Sequence, residues 1–369
     1  QPRDTSLFSS SMVLWFTFLS CLKEVIPLFC PDVCECHDET LICTNRGLKS
    51  VPQPPQGLSS AARALSLGGN FITHLSPGDF CNYPALKELS LQYNSIQTIS
   101  SKTFVPLTEL KELYLGNNLL SSLENKTHVS RDTFYGLNSL IKLRLDGNVL
   151  STIPDGAFVT LGNLGYLHLE KNNIRSLWRN PFRGLGKLRY LNLSKNNISL
   201  ERGNPFRHLK SLSELQLSEN RIVSLREGAF RWLTELTTLS LSHNTISDLD
   251  HNTFQGLTQL RSLALDSNNI TVISQRLFSP VKQIQDIDLS RNAISEVQIN
   301  WIDCELDGLW AKRAMQFFFV SERTNERKKT GLFQALLKTN FVEIKQTGRD
   351  TLLLLYNVVL LHHVGNLNA

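Results

Sequence analysis

The sequence has 369 residues, of which 41% are apolar and 19% charged, and its formal net charge is +5. This composition excludes a disordered chain, and the length allows more than one domain. Residues 311–350 carry nine Lys or Arg against four acidic residues, whereas residues 1–310 are neutral overall. The main body therefore has no broad basic surface, which argues against a nucleic-acid partner.

A short apolar run, MVLWFTFLSCL, occupies residues 12–22. It has the length of the core of a secretory signal and is too short to span a bilayer. We therefore interpret residues 1–29 as a leader segment. The alternative is a buried N-terminal helix.

Four cysteines follow within fourteen residues: Cys30, Cys34, Cys36 and Cys43. Such density in an exported chain is typical of a disulfide knot. The alternative is a zinc site, but the CxxxCxC spacing lacks the paired two-residue spacing of zinc knuckles.

The pattern LxxLxLxxNxI then recurs, for example as LRYLNLSKNNI at 188–198 and LTTLSLSHNTI at 236–246. Two residue series step by 24 except once, when both step by 30. The phenylalanines are Phe80, Phe104, Phe134, Phe158, Phe182, Phe206, Phe230, Phe254 and Phe278. The ten asparagines, here called the ladder, are Asn70, Asn94, Asn118, Asn148, Asn172, Asn196, Asn220, Asn244, Asn268 and Asn292.

This period indicates a solenoid, in which each turn buries its apolar side only by stacking on its neighbours. The two leucines of LxL belong to a short strand and point inward. The asparagine lies where the chain leaves the strand, and we expect its amide to bond backbone groups that would otherwise be buried without partners, at about 1–3 kcal/mol each.

These motifs resemble the leucine-rich repeat family, in particular extracellular members with 24-residue repeats. The resemblance covers residues 54–299 as ten repeats and implies an α/β-type leucine-rich repeat solenoid. Its curved parallel β-sheet would form the concave face, with irregular or short 3-10 turns on the convex side. The stretch CPDVCECHDETLIC resembles the family's N-terminal cap, here residues 30–53. In that cap the implied disulfides are Cys30 with Cys36 and Cys34 with Cys43, and the cap covers the open end of the array.

Four N-glycosylation sequons are present, at Asn125, Asn192, Asn197 and Asn269. Asn125 belongs to the six extra residues between Asn118 and Phe134. That insertion is either a neutral loop expansion or a functional protrusion, because surface loops tolerate insertion at low cost.

Residues 300–369 are interpreted as a degenerate C-terminal cap followed by a tail without repeats. NWIDCELDGLW at 300–310 resembles the family's C-terminal cap only faintly, because Asp303 stands where its first cysteine would be. The run TLLLLYNVVLL at 351–361 is too short for a transmembrane span, so none is predicted.

No catalytic motif occurs and the nine histidines are scattered, so we expect a protein that is not an enzyme and has no cofactor. Asp286 and Asp288 are a possible cation site, but two solvated strand charges are the simpler interpretation, and no metal is predicted.

The candidate ligand-binding residues lie beside the leucines of repeats three to six, because non-leucine strand positions form the concave surface. Tyrosine and arginine are frequent in interface hot spots. Tyr166 and Tyr190 occupy equivalent positions, so their rings should lie roughly 5 Å apart. The residues are Tyr114, Lys142, Arg144, Asp146, Tyr166, His168, Glu170 and Tyr190.

The resemblance implies a secreted or cell-surface protein that binds a protein ligand or a cell-surface receptor, as adhesion, guidance and receptor ectodomains do. The alternative is a structural protein of the extracellular matrix, like the small proteoglycans. Their repeats mix shorter and longer turns, whereas most repeats here have 24 residues, which favours the first interpretation.

Overall fold

The computed structural model describes residues 30, 33–54, 62–121, 133–177, 180–200, 203–274 and 276–297. The predicted leader 1–29, the Asn125 sequon and the predicted C-terminal region 300–369 lie outside these residues. The domain limits inferred from the sequence therefore remain predictions.

One 12-stranded sheet runs the length of the described chain. Each strand has three residues, and the central one is a leucine except in β1 and β15, where it is Cys36 and Ile287. In sheet order the strands are β1 (Glu35–His37), β2 (Thr40–Ile42), β3 (Ala64–Ser66), β5 (Glu88–Ser90), β7 (Glu112–Tyr114), β8 (Lys142–Arg144), β9 (Tyr166–His168), β10 (Tyr190–Asn192), β11 (Glu214–Gln216), β12 (Thr238–Ser240), β13 (Ser262–Ala264) and β15 (Asp286–Asp288).

Two smaller parallel pairs link neighbouring turns elsewhere: β4 (His74–Leu75) with β6 (Thr98–Ile99), and β14 (Val272–Ile273) with β16 (Glu296–Val297). The remaining described segments are turns and extended chain, and these residues contain no helix. The solenoid predicted from the period is confirmed. Its convex side is built of turns in the described part of the chain, where no 3-10 helix occurs.

Strand register follows directly from the repeat length. Leu191 pairs with Leu167 on one side and with Leu215 on the other, each 24 residues away. All neighbouring pairs from β2 to β15 are parallel and join residues 24 apart, except β7 and β8, which join residues 30 apart because of the six-residue insertion. By contrast, β1 and β2 form an antiparallel hairpin. Equivalent side chains of successive repeats therefore stand next to one another across the sheet.

The core consists of stacked layers contributed one per turn. The strand leucines, such as Leu191 and Leu215, are completely buried. On the far side, the phenylalanines form a column in which Phe80 and Phe104 stack at 5.8 Å and Phe104 and Phe134 at 6.4 Å between ring centroids. No turn can bury these residues alone, so stability depends on stacking between neighbours.

The ladder asparagines bond backbone groups of two turns at once. Asn196 Nδ2 donates to Leu169 O and to Leu193 O, both at 3.0 Å, and its Oδ1 accepts from the Ile174 amide at 3.0 Å. The other ladder asparagines repeat this arrangement, and all except the half-buried Asn292 are buried. This is the role expected of a buried polar side chain at the end of a strand.

The residue before each ladder asparagine has a left-handed backbone. Gly69 and Gly147 occupy this position with φ of 68° and 65°, but so do Tyr93 and Lys195 with φ of 56° and 57°. Glycine adopts this conformation without steric cost, whereas other residues do so at a penalty. The fold thus demands the conformation and not a particular side chain.

The cap contains the two disulfides implied by the family resemblance. Cys30 bonds Cys36 and Cys34 bonds Cys43, with Cα atoms 5.7 Å and 4.4 Å apart. The cap hairpin pairs through β2 with β3 and so covers the first edge of the sheet. An uncovered edge would be a template for association with other chains.

Candidate protein-binding face

The predicted ligand residues converge on one face of four adjacent strands, β7 to β10. Those within the strands flank the central leucines, which point to the core, and so they project from the opposite, concave face. Asp146 and Glu170 lie two residues after the strands end, on the same side as Arg144 and His168. Strand register therefore brings all eight residues together.

The tyrosine pair lies where the register predicts, with a larger ring separation. Tyr190 is paired with Tyr166, and the ring centroids are 6.4 Å apart at an interplanar angle of 35°. The predicted value of roughly 5 Å was too short, because tilted and offset rings are preferred over face-to-face contact. His168 lies closer to Tyr190, at 5.0 Å between centroids. Tyr166 is 44% exposed and is thus the accessible ring of this group.

Arg144 is held by carboxylates of its own face. Its Nε and Nη2 donate to the two oxygens of Asp146 at 2.9 and 3.0 Å, and Nη2 lies 3.8 Å from Glu170 Oε1. The hydrogen bonds with Asp146 raise the pKa of Arg144 above its ordinary value. A bidentate pair of this kind fixes the guanidinium plane, so Arg144 presents a rigid edge rather than a free charge.

Lys142 is oriented in a similar way by Tyr114 and Glu112. Its Nζ donates to the Tyr114 hydroxyl at 3.3 Å, lies 5.0 Å from the ring centroid and lies 3.7 Å from Glu112 Oε2. The Tyr114 hydroxyl in turn donates to Glu112. Burial, followed by this hydrogen bond, raises the pKa of Tyr114 well above its usual range.

Glu170 occupies the centre of the face and is mostly buried. Its Oε1 lies 3.3 Å from His168 Nδ1, while Oε2 is buried without a hydrogen-bond partner among the described residues. Burial, then the nearby carboxylates of Glu214 and Glu170, raise the pKa of the Tyr190 hydroxyl. Sequence analysis had not singled out Glu214; its position 24 residues after Tyr190 is the signal that places it here.

Further along the solenoid, the same face has only small side chains on two strands. Strands β12 and β13 present only Thr238, Ser240, Ser262 and Ala264. Asp286 and Asp288 on β15 are both exposed, and the described residues contain no group of three or more His, Cys, Asp or Glu able to hold a metal ion. Large aromatic and charged side chains are thus concentrated on β7 to β10.

The described sequons differ in exposure. Asn269 is exposed, whereas Asn197 is half-buried. Asn192 lies on the concave face, where its Oδ1 accepts from the Ser194 amide at 3.0 Å and its Nδ2 donates to the Tyr190 hydroxyl at 3.4 Å. A glycan on Asn192 would break the contact with Tyr190 and cover part of the candidate face.

A sequence profile described as Leucine rich repeat matches residues 60–120, 122–174, 162–222, 210–270 and 258–305. The chain belongs to the leucine-rich repeat family. Its curated relatives include TLR4 interactor with leucine rich repeats from Mus musculus, which is 50% identical over 54 residues. They also include leucine-rich repeat and immunoglobulin-like domain-containing nogo receptor-interacting protein 3 from Homo sapiens, 36% identical over 85 residues.

These alignments cover 14% and 21% of this leucine-rich repeat chain, and only 7% and 14% of the respective relatives. Among solved structures, the chain is similar to one from the octameric complex of Latrophilin 3, Unc5D and FLRT2, whose FLRT2 part is described as a leucine-rich repeat region. The TM-score is 0.55 and the identity 23%, over 71% of this chain and 84% of the other. The likeness shows the shared fold. In the part of this chain that the structure describes, no helix has the length and apolar character needed to cross a membrane.

Proposed function

We propose that this protein is an exported, non-enzymatic binding module whose concave face holds a protein ligand across β7 to β10. The observation that carries the proposal is the contrast along one sheet: aromatic and fixed charged side chains on four adjacent strands, and small hydroxyl or methyl side chains on β12 and β13. Interface hot spots are enriched in Tyr and Arg and lie in well-ordered surroundings.

Secretion or display at the cell surface is part of the proposal. Two disulfides within the small cap favour an oxidising compartment. The names of the similar proteins, an interactor of TLR4 and a nogo receptor-interacting protein, favour a partner that is itself a protein. We further propose that Asn125 and Asn269 carry glycans.

Tyr166 provides the cleanest test of the concave site. The full chain, immobilised, is screened against purified cell-surface ectodomains and against fibrillar collagen, and the affinity of each ligand found is measured for the parent and for Tyr166→Ala. We expect Tyr166→Ala to weaken binding by more than about 1 kcal/mol, or about fivefold. Thr238→Ala, at the equivalent position on β12, is the matched control and should bind as the parent does.

Arg144→Ala should weaken binding at least as much, but the substitution has a second effect. It leaves the buried Asp146 carboxylate without its bidentate partner, so stability falls as well. Its affinity is therefore compared after a thermal melt has shown the folded fraction. If Tyr166→Ala and folded Arg144→Ala both bind like the parent, the concave site is wrong. Binding to collagen alone would favour the matrix alternative.

A further inference from the structure

A second unusual surface lies away from the concave face, along the edge where the chain leaves the strands. Four large apolar side chains are exposed there on the first four turns: Phe71 by 62%, Tyr93 by 65%, Leu119 by 45% and Val149 by 40%. We call these four residues the apolar edge. Each is next in sequence to a ladder asparagine, one residue before it in the case of Tyr93 and one after it in the other three.

Folding does not require apolar residues at these positions. The position before the ladder asparagine needs only a left-handed backbone, which Lys195 and Glu219 also supply at φ of 57° and 54°. The position after it is Asn173 and Thr245 in later turns, both exposed. Because the ladder asparagines fix the backbone on both sides, the apolar side chains are held outward on a rigid frame.

The edge changes character abruptly after the fourth turn. On each of the first four turns, one neighbour of the ladder asparagine belongs to the apolar edge. The other neighbour is uncharged in every case: Gly69, Ser95, Asn117 and Gly147. From the fifth turn onward no large apolar residue occurs at either position. Charged or titratable residues and two sequons occur there instead, namely Lys171, Lys195, Glu219, Arg221, His243 and Arg291, with Asn197 and Asn269.

We propose that the apolar edge is a contact between two copies of this chain, related by a two-fold axis. A two-fold contact brings the same surface patch of each copy together. The uncharged edge meets its own copy without like-charge repulsion. The same positions of the later turns carry Lys171, Lys195, Arg221 and Arg291 against Glu219, a net positive patch that would repel the same patch of a second copy.

A two-fold axis also pairs the side chains of the apolar edge with one another. Its four turns span roughly 15 Å at the strand spacing. Two rows in opposite directions place Phe71 of one copy opposite Val149 of the other, and Tyr93 opposite Leu119. Each aromatic ring thus meets an aliphatic side chain.

The area available suits such a contact. A fully buried aromatic side chain removes roughly 150–250 Å² from water, and Phe71 and Tyr93 are 62% and 65% exposed, so the two rings together offer about 200–300 Å², to which Leu119 and Val149 add. A standard interface covers about 800 Å² per partner. The apolar edge therefore supplies the dry centre, and the uncharged residues around it supply the rim. Isolated exposed apolar residues are common, but large exposed apolar side chains on four successive turns mark a candidate interaction site.

The decisive experiment measures the mass of the glycosylated full chain in solution, by light scattering and sedimentation velocity over a range of concentrations. The parent should form a dimer. Tyr93→Glu should raise the dimer dissociation constant by about a hundredfold or more, since each substitution acts twice in a two-fold contact. The fold accepts this change, because Glu219 occupies the equivalent position. Ser267→Glu, at the same position on the ninth turn, should leave the dimer intact.

A glycan provides an independent second probe. Leu119→Asn creates the sequon Asn-Leu-Ser on the apolar edge, and Thr245→Asn creates Asn-Ile-Ser at the equivalent position of the eighth turn. Once mass spectrometry shows both sites occupied, the Leu119 variant should be monomeric and the Thr245 variant dimeric. A monomeric parent overturns the proposal, and so does a parent dimer that survives both Tyr93→Glu and the glycan at 119. None of these outcomes depends on ligand binding at the concave face.

Discussion

Replacing the ladder residue Asn196 by Ala tests how the solenoid is held together. The side chain has three backbone hydrogen bonds at 3.0 Å, whose loss does not cost equally, and a fourth at 3.2 Å to Ser194 O, which also accepts from the Lys171 amide. Leu193 O also accepts from Asn220 at 3.0 Å, and Leu169 O also accepts from Asn172 at 3.1 Å. Both carbonyls thus keep one donor.

The Ile174 amide is different, because Asn196 Oδ1 is its hydrogen-bond acceptor at 3.0 Å. In the Ala variant this amide remains buried and unpaired. The expected loss is therefore about 1–3 kcal/mol, set mainly by one amide rather than by all four contacts.

Urea denaturation gives the stability change, and hydrogen exchange of the Ile174 amide gives its location. Asn173→Ala is the matched control, because Asn173 is exposed, lies outside any sequon and bonds Leu150 O only through its backbone amide, at 2.9 Å. We expect the control to stay within about 0.5 kcal/mol of the parent. Equal losses for the two variants, or an Ile174 amide protected as in the parent, would refute this account of the ladder.

Three further predictions concern the backbone and the cap. Gly184→Ala should destabilise by at least about 1–2 kcal/mol, since φ is 95° and the new Cβ would lie 2.7 Å from a carbonyl oxygen of the preceding turn. Gly186→Ala should leave the stability unchanged, because open space surrounds that position. Thermal melts of the Gly184 and Gly186 variants measure the difference. Tyr93→Gly should raise the unfolding midpoint slightly, as it relieves the left-handed strain. Cys34→Ser with Cys43→Ser should cost about 2–5 kcal/mol, with exchange protection lost first in the cap.

The backbone was predictable from the sequence because a few residue types determine it. Leucine, asparagine and phenylalanine recur at fixed intervals, and each has one role: strand core, backbone partner and convex column. A 24-residue period then fixes strand register, since the repeat strands pair with residues 24 positions away, or 30 across the insertion between Asn118 and Phe134. Register in turn places Tyr166 beside Tyr190.

The behaviour of the candidate ligand residues was harder to predict. Arg144 is the clearest example: its residue type indicated an interface anchor, but the sequence does not show that Asp146 holds it with two hydrogen bonds. Side chains two residues apart meet only when the strand geometry directs both to one face. The ring separation of Tyr166 and Tyr190 similarly depends on tilt, which the period does not determine.

The apolar edge could not be predicted from the sequence, for a different reason. Phe71 and Leu119 occupy one repeat position, but Tyr93 lies two places earlier, so no single column of the alignment shows the row. Hydrophobicity along the chain does not reveal it either, because Phe71, Leu119 and Val149 directly precede a buried leucine or isoleucine, and Tyr93 lies two residues after the buried Leu91. Only its exposure in the folded chain separates Tyr93 from the core.

The repeat itself explains why both unusual surfaces are informative. Positions that build the solenoid tolerate few residue types, so positions beside them can vary without loss of fold, as Tyr93 and Glu219 show. An exposed aromatic residue at such a position has no structural cause and is best explained by contact with another molecule. The tyrosines of the concave face lie on strands of the third, fifth and sixth turns, whereas the apolar edge lies on the first four turns, after the strands end. Two copies joined along the edge would therefore leave both concave faces open, and the dimer would bind a surface-displayed ligand at two points, with the gain in avidity that two linked sites provide.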